Sequence, residues 1–244
     1  MRVLGRAPSG AVADVGFVAQ DKPLYRNLTV GETVRMGAWL NPGWDRQAVV
    51  DRIERIGITP EQKVGGLSGG QRSQVALAVA LGKRPRLLLL DEPVADLDPI
   101  ARRDFLRTLM AEVAESGVTV VLSSHLLADV EKTCEFLVLL TTPVRRGAED
   151  RRAPGADVHS HVQLADHTET LLAQHRLVTG PRAAAPALTA AHSVVQADYT
   201  DRQASLVLRA RGPIDERVWT VRPISLEALA LAYMSAPEQQ ETAA

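Results

Sequence analysis

The chain has 244 residues, a length that favours one domain of α/β size with a small appendage. Its residues are 45% hydrophobic and 23% charged, which is ordinary for a soluble globular chain. A formal net charge of −1 gives no reason to expect nucleic acid or an anionic membrane surface as the main partner. The single cysteine, Cys134, excludes an intrachain disulfide and a cysteine zinc site, and it fits a reducing compartment. No apolar run is long enough to cross a bilayer and no signal-peptide pattern opens the chain, so we expect any membrane role to come through a partner.

The first 81 residues predict one strand followed by three helices. The predicted elements are a strand at Val15–Ala19 and helices at Thr29–Leu40, Asp45–Ile56 and Gln71–Leu81. Thr29 and Glu32 form a T-x-x-E capping-box pattern, although Gly31 and Gly37 weaken the first helix. The second helix is amphipathic, because its apolar residues recur at spacings of four and three. These helices predict a small helical layer.

The next part of the chain alternates apolar strands with a helix. Leu87–Leu90 and Val118–Leu122 predict strands, and Ile100–Ala114 predicts the helix between them. Leu87–Leu90 does not alternate with polar residues, so we expect this strand to be covered on two faces, and we expect Val118–Leu122 to be the next buried strand. This βαβ rhythm predicts a parallel sheet with right-handed crossovers.

Beyond Thr141 the composition changes. Residues 143–162 combine prolines, glycines and two arginine pairs with acidic residues, which favours a solvated linker or insertion. His159 and His161 could share a metal ion if the segment were a strand, but no carboxylate or cysteine partner is evident and a solvated tract is favoured. The remaining predicted elements are a helix at Thr168–Gln174, an Ala/Pro-rich spacer at Pro181–Pro186, strands at Val194–Tyr199, Ala204–Ala210 and Val218–Val221, and a helix at Ser225–Met234.

Two motifs carry the chemistry. Leu67-Ser68-Gly69-Gly70-Gln71 is a glycine-rich turn that opens a helix, and Leu87–Leu90 runs directly into Asp91-Glu92. Together they would supply an anion-binding helix N-terminus and a Mg²⁺ site within one α/β layer. In isolation, Ser-Gly-Gly also fits a flexible loop, and Asp-Glu-Pro a turn that ends a strand. No G-x-x-x-x-G-K-[ST] sequence occurs among the 244 residues, so a phosphate cradle with its lysine is absent from them.

These motifs, together with the Ser-Ser-His run that ends at His125, resemble the ATP-binding subunits of ABC transporters. The resemblance covers Val3 to Leu140. In family order its motifs are a glutamine loop at Gln20, the signature at Leu67–Gln71, the Walker B strand at Leu87–Glu92, a D-loop at Ala95–Asp98 and a switch histidine at His125. It implies an α/β, P-loop NTPase-like ABC ATPase core, truncated at its N-terminus, with a helical signature subdomain and a small C-terminal α+β appendage.

The resemblance also divides the chain into three parts. Residues 1–142 would form the ATPase core without Walker A, with the helical subdomain at about 29–81. Residues 143–162 would be a linker or insertion, and residues 163–244 an accessory region. Met1–Gly5 would correspond to the strand that follows the Walker A helix in such subunits.

Roles for individual residues follow from the resemblance. Asp91 would bind Mg²⁺, and Glu92 would position or deprotonate the attacking water. Gln20 would contact Mg²⁺ and link the site to the transport subunit, and His125 would contact the γ-phosphate. The signature residues would contact nucleotide held by the facing subunit; they are Ser68, Gly69, Gly70 and Gln71. Asp98 would hold the dimer interface. Without the other motifs, Gln20 would give no indication of function. A lone histidine after a strand, such as His125, is more often an ordinary surface or core residue. Asp96 departs from the family, which more often has a small or neutral residue there.

The implied cofactors are ATP and Mg²⁺, and the implied partners are a second ATPase subunit and an integral-membrane permease, with no nucleic acid. The protein would lie in the cytoplasm at the inner face of the membrane. Pro23–Val34 resembles the exporter subgroup that handles drugs and antibiotics. One hypothesis is an exporter ATPase whose recorded start lies too far downstream. A second is a truncated, catalytically incompetent subunit that lends its signature to an intact partner, and the least favoured is an ABC protein of translation or DNA repair.

Overall fold

The computed structural model describes residues 1–141 and 161–235 of the chain. They belong to two compact units, Met1–Leu126 and Leu127–Ala244. This division falls earlier than the boundary at residue 142 that the sequence predicts, and most of the predicted linker lies outside the described residues. The three-part division by sequence therefore remains a prediction.

The N-terminal unit contains five α-helices and three strands among its described elements. The helices are α1 (Pro8–Ala11), α2 (Val30–Leu40), α3 (Arg46–Arg55), α4 (Gly69–Gly82) and α5 (Pro99–Ser116). The strands are β1 (Val15–Val18), β2 (Leu87–Asp91) and β3 (Thr119–Ser123), and short 3₁₀ turns occupy Val12–Asp14 and Val64–Gly66. The three predicted strands and the four predicted helices of this unit are thus all present, with ends that differ by at most two residues.

The three strands form a parallel sheet in the order β1-β2-β3, as the βαβ rhythm predicts. Leu88 and Leu90 of β2 are buried in a core that α4 and α5 supply with residues such as Leu77 and Phe105. Apolar burial of this kind contributes about 25 cal/mol for each Å² removed from water, so this core stabilises the unit.

The prediction that both faces of this sheet are covered is wrong within the described residues. Phe17, Leu89 and Val121 pair with one another across the three strands and form a row on the face away from the core. Phe17 is 59% exposed and Val121 55% exposed. Both helices that pack on the sheet, α4 and α5, belong to the core on the other face, so this row lacks a cover among the described elements.

Helices α2, α3 and α4 form the predicted helical layer around a second apolar core. Its buried residues include Val34, Ile53 and Val75. The capping box at the start of α2 is confirmed: the N–H of Glu32 donates to Thr29 Oγ1 at 3.1 Å, and Glu32 Oε2 accepts from the N–H of Thr29 at 2.8 Å. Two backbone donors that a helix start leaves without partners are satisfied in this way.

Residues Met1–Gly5 do not form the strand that the family resemblance implies. Val3 and Arg6 make an isolated antiparallel bridge, and the chain turns between them. Leu4 and Gly5 have positive φ values of 50° and 78°, which are incompatible with an extended strand.

The described C-terminal unit contains four helices and six strands. The helices are α6 (Leu127–Thr133), α7 (Thr168–Gln174), α8 (Ala185–Ala191) and α9 (Leu226–Ser235). The strands are β4 (Phe136–Thr141), β5 (His161–His167), β6 (His175–Pro181), β7 (Ser193–Tyr199), β8 (Gln203–Arg209) and β9 (Thr220–Pro223), with a 3₁₀ turn at Arg182–Ala184. Across both units, no helix of the described residues is long and apolar enough to span a membrane.

These strands form a β4-β5 ribbon and an antiparallel sheet in the order β7-β8-β6-β9. The sequence predicted β7, β8 and the final helix, but the predicted spacer at Pro181–Pro186 is wrong, since β6 ends there and α8 begins at Ala185. The strand predicted at Val218–Val221 starts later, because the N–H groups of Val218 and Trp219 both bond to the carbonyl of Asp215 in a turn.

His175 is a buried histidine inside this unit. Its Nδ1 lies 2.7 Å from the carbonyl of Leu171, and its Nε2 lies 2.9 Å from the hydroxyl of Tyr233. Because a carbonyl can only accept, Nδ1 carries the proton and Nε2 accepts from the tyrosine in the neutral ring. Burial lowers the pKa of His175 below its usual value.

We expect Gly37→Ala to destabilise the N-terminal unit by about 1–3 kcal/mol, although alanine is the better helix former. A β carbon at position 37 would lie 2.3 Å from the ring of Trp44. Chemical denaturation of Gly37→Ala, Trp44→Leu and the double variant measures this. The alanine should cost less in the Trp44→Leu background; an equal cost in both would contradict a clash with the ring.

We also expect the C-terminal unit to lose stability as the pH falls below about 6.5, the ordinary pKa of histidine. The lowered pKa of His175 means that the unfolded chain binds the proton first, so the stabilisation is complete above that pH and disappears as the pH falls through the folded-state value. Urea unfolding at several pH values should show a smaller acid dependence for His175→Phe than for the matched control His167→Phe, whose histidine is exposed. Equal dependence in the two variants would refute the assignment.

Candidate functional site

A cluster of polar side chains lies where β2 and β3 end. The parallel register sets Asp91 opposite Ser123. The hydroxyl of Ser123 donates to Asp91 Oδ1 at 2.8 Å and accepts from the backbone N–H of Glu92 at 2.9 Å. One hydroxyl therefore orients the Asp91 carboxylate and fixes the backbone of the residue that follows it.

Glu92 begins a sharp turn directly after the strand. Its φ of 44° lies in the left-handed region, which costs a residue with a β carbon about 1 kcal/mol or more. Its Oε2 lies 2.9 Å from Nδ1 of His125, and the side chains are 21% and 63% exposed. A carboxylate oxygen accepts the bond from a ring N–H, so in this pair Nδ1 carries the hydrogen.

The signature residues form an ordered helix cap. Ser68 Oγ accepts from the N–H of Gln71 at 3.1 Å, and Gln71 Oε1 accepts from the N–H of Ser68 at 3.0 Å. The helix starts at Gly69, two residues earlier than predicted. The cap leaves the N–H groups of Gly69 and Gly70, the first two helical residues, directed out of the end of α4. Such a terminus favours an anion.

Asp98 caps the next helix, α5. Its Oδ1 accepts from the N–H groups of Ile100 at 2.9 Å and Ala101 at 3.0 Å. These backbone bonds, from Ala101 and then Ile100, lower the pKa of Asp98. The carboxylate is therefore ionised near neutral pH and stabilises the helix start.

The structure places only some of the predicted site residues in contact with one another. Asp91, Glu92 and His125 form one hydrogen-bonded cluster. Gln20 is exposed in the turn after β1, and among residues 1–141 and 161–235 no hydrogen bond or ion pair links its side chain to these carboxylates. The Ser68–Gln71 cap and Asp98 lie at the starts of two other helices.

The carboxylates of the cluster suit a hard divalent cation whose remaining ligands are water and phosphate oxygens. Asp91 and Glu92 offer carboxylate oxygens, which Mg²⁺ prefers, and Asp91 is exposed. The described part of the chain holds no group of three or more His, Cys, Asp or Glu residues that could bind a metal ion. Mg²⁺ typically takes one or two protein carboxylates with water and phosphate oxygens, so the carboxylates fit such a role. Of the two linker histidines, His159 lies outside the described residues, and His161 is exposed at the start of β5.

Two residues near the predicted site were missed by sequence reasoning. Ser123 is the first serine of the Ser-Ser-His run, and its role appears only when the register of β2 and β3 is known. Lys22 lies two residues after Gln20, and its Nζ is 3.7 Å from Asp96 Oδ2. The sequence offers one hint of this pair, the unusual acidic residue at position 96.

A cavity of about 800 Å³ lies at the other end of the strands and does not include the carboxylate cluster. Arg86 and Thr119, at the starts of β2 and β3, belong to its wall. Arg52 of α3 and Glu112 of α5, which also line it, form an ion pair that is largely buried. This pair joins the helical layer to the core.

Comparison with protein families relates the chain to ABC transporters. The family model described as ABC transporter matches residues 9–95. The matched range contains the turn at Gln20, the signature cap and the two carboxylates at the end of β2.

Curated proteins give the same relation over a longer range. The Thiamine import ATP-binding protein ThiQ of Vibrio cholerae is 34% identical over 181 residues, which cover 70% of this chain and 72% of ThiQ. The Linearmycin resistance ATP-binding protein LnrL of Bacillus subtilis is 31% identical over 145 residues, 57% of this chain and 46% of LnrL. The chain spans only about a third to a half of the length of five further curated relatives it matches.

A solved structure has a similar fold. The structure of the ATP binding subunit of an ABC transporter superposes with a TM-score of 0.54 at 21% identity, over 70% of this chain and 68% of that one. At this identity the likeness concerns the fold alone.

We expect Ser123→Ala to release the Glu92 backbone. The N–H of Glu92 would lose its acceptor, so hydrogen exchange at this amide should rise about fivefold, as the loss of about 1 kcal/mol predicts. Ser123→Thr keeps the hydroxyl and should restore slow exchange. Thr119→Ala, in the same strand and on the same face, is the matched control. Equal exchange at Glu92 in Ser123→Ala and the control would contradict this role.

Proposed function

Since the chain belongs to the ATP-binding protein family of ABC transporters, we propose that it is a subunit that binds and hydrolyses ATP and couples this to transport by a separate membrane subunit. The observation that supports hydrolysis is the Asp91-Ser123-Glu92-His125 cluster, with its two carboxylates oriented at the end of a parallel sheet. Phosphoryl transfer needs chiefly such positioning and charge stabilisation.

In this proposal each cluster residue has one task. Asp91 would hold Mg²⁺, which would neutralise charge on the phosphates. Glu92 orients the attacking water or takes its proton, and its turned backbone directs the carboxylate towards His125. His125, whose side chain is exposed, would contact the terminal phosphate, and Gln20, in the turn after β1, would contact the metal.

The signature cap would act on nucleotide held by a facing subunit. The free N–H groups of Gly69 and Gly70, and the hydroxyl of Ser68, suit a γ-phosphate. Gln71 holds that cap in place, and Asp98 would contribute to the dimer interface. The 244 residues contain no G-x-x-x-x-G-K-[ST] sequence, so the phosphate cradle must come from outside them.

The proposed partners are a second ATPase subunit and an integral-membrane permease, with the chain on the cytoplasmic face. The direction of transport rests on Pro23–Val34 alone, whose sequence resembles exporters of drugs and antibiotics. The relatives' names do not favour export over import, since several are named for import and one for resistance to linearmycin.

The alternative is a catalytically incompetent subunit that lends its signature to an intact partner. The lack of a G-x-x-x-x-G-K-[ST] sequence among these residues supports it. The mass of the native polypeptide, read together with its coding frame, separates the two. A longer chain that carries this sequence supports hydrolysis by this subunit, and a chain that starts at Met1 supports the alternative.

In the transporter assembly purified from its own cells, we expect Glu92→Gln to reduce ATP hydrolysis by this subunit's site about a hundredfold or more, because the base is lost while the shape is kept. Bound ATP should accumulate without turnover. The matched control, Glu115→Gln, removes an exposed carboxylate from α5 and should leave the rate unchanged. Full hydrolysis in Glu92→Gln would refute the catalytic role of Glu92.

A further inference from the structure

Lys22 is a buried lysine in the turn that follows β1. Of the Lys, Arg, Asp and Glu residues that the structure describes, it alone is in the buried class, with its side chain 6% exposed. Its φ of 48° is unfavourable for a residue with a β carbon. Two short-range bonds hold this conformation: its N–H donates to the carbonyl of Ala19 at 3.0 Å, and its carbonyl accepts from the N–H of Leu24 at 2.6 Å.

The ammonium of Lys22 faces a single carboxylate. Asp96 Oδ2 lies 3.7 Å from Nζ, and no other carboxylate of the described chain forms an ion pair with this lysine. A buried ammonium is costly unless an opposite charge accompanies it, so Asp96 compensates the burial. The Asp96 side chain itself is 76% exposed, so the lysine is the buried member of the pair.

Asp96 in turn lies against the signature turn. Its carbonyl oxygen is 3.9 Å from the position that a β carbon would take on Gly69. The same short loop starts at Glu92, whose carbonyl accepts from the N–H of Ala95 at 3.3 Å, and it ends at the helix cap Asp98. A displacement of Asp96 therefore changes the surroundings of Gly69.

We propose that Lys22 is a positioning residue that, through its ion pair with Asp96, holds the Ala95–Asp98 loop against the N-terminus of α4. The consequence for catalysis rests on the proposed function, in which the N–H groups of Gly69 and Gly70 donate hydrogen bonds to the phosphate. It also gives the acidic residue at position 96 a role, as the counter-charge of the buried Lys22. The turn after β1, the loop after β2 and the signature are thereby mechanically linked.

The first test needs no nucleotide. Amide hydrogen exchange is measured in the full chain at Gly69, Gly70 and residues 95–98. We expect Lys22→Met to raise exchange at these amides about threefold or more, and Lys22→Arg to restore protection, because it keeps the charge. Asp96→Asn should have the larger effect, since it leaves a buried ammonium without its counter-charge. Lys63→Met, at an exposed lysine of the same unit, is the matched control for charge.

The double variant distinguishes loss of the ion pair from a general loss of stability. If the two residues act through one contact, Lys22→Met combined with Asp96→Asn should raise exchange no more than Asp96→Asn alone. Additive effects, or unchanged exchange at Gly69 in Lys22→Met, would overturn the proposal. A uniform rise over the whole unit, with a lower melting temperature, would also overturn it, because that marks a structural role only.

The second test uses the intact transporter assembly. We expect Lys22→Met to raise the KM for ATP about threefold or more with little change in kcat, whereas Glu92→Gln lowers kcat. If Glu92→Gln has no effect on hydrolysis, the proposed catalytic function fails while the exchange result at Gly69 still stands. If Glu92→Gln abolishes hydrolysis and Lys22→Met leaves KM unchanged, the positioning role in catalysis fails alone.

Discussion

The parallel register of β2 and β3 is the constraint on which the carboxylate cluster depends. It sets Asp91 opposite Ser123, so that one hydroxyl reaches the side chain of Asp91 and the backbone of Glu92. A slip by one residue would turn every side chain of β3 to the other face and remove this contact. The register is fixed by packing, because Leu88 and Leu90 of the central strand are buried against the helices. The polar site is therefore a product of the apolar core beneath it.

Helix starts supply the rest of the candidate site. Ser68 and Asp98 each accept backbone N–H groups at the first turn of a helix, which stabilises the free chain. The family resemblance gives the same residues contacts with nucleotide or with a second subunit. A substitution at either position thus changes stability and proposed function together, and lost activity alone would not isolate a chemical role. Ser123 and Lys22 cap no helix among the described residues. The effect of a substitution at either one on function is therefore easier to distinguish from its effect on stability.

Local signals in the sequence predicted most of the N-terminal unit. The capping box at Thr29 and the apolar run that ends at Asp91 each depend on a few neighbouring residues, and both are present. What covers each face of a sheet depends on distant chain, so an apolar run did not reveal that one face of β2 is open. Strand β6 contains a glycine and a proline and is defined by pairing with β8. Motif order supplied Asp91, Glu92 and His125, whereas Ser123 needed the register and Lys22 needed tertiary burial.

Strand β3 lies at the edge of the three-stranded sheet, where it could pair with another copy of the chain in concentrated solution. Its free side has no partner among the described strands, and its sequence, Thr-Val-Val-Leu-Ser, contains no charge and no proline. Natural sheets usually protect such borders with a lysine, a proline or a bulge, because open N–H and C=O groups template pairing with another chain. With Val121 exposed on the open face, β3 combines unpaired backbone with apolar surface. Within the described N-terminal unit, this border therefore favours self-association through β3.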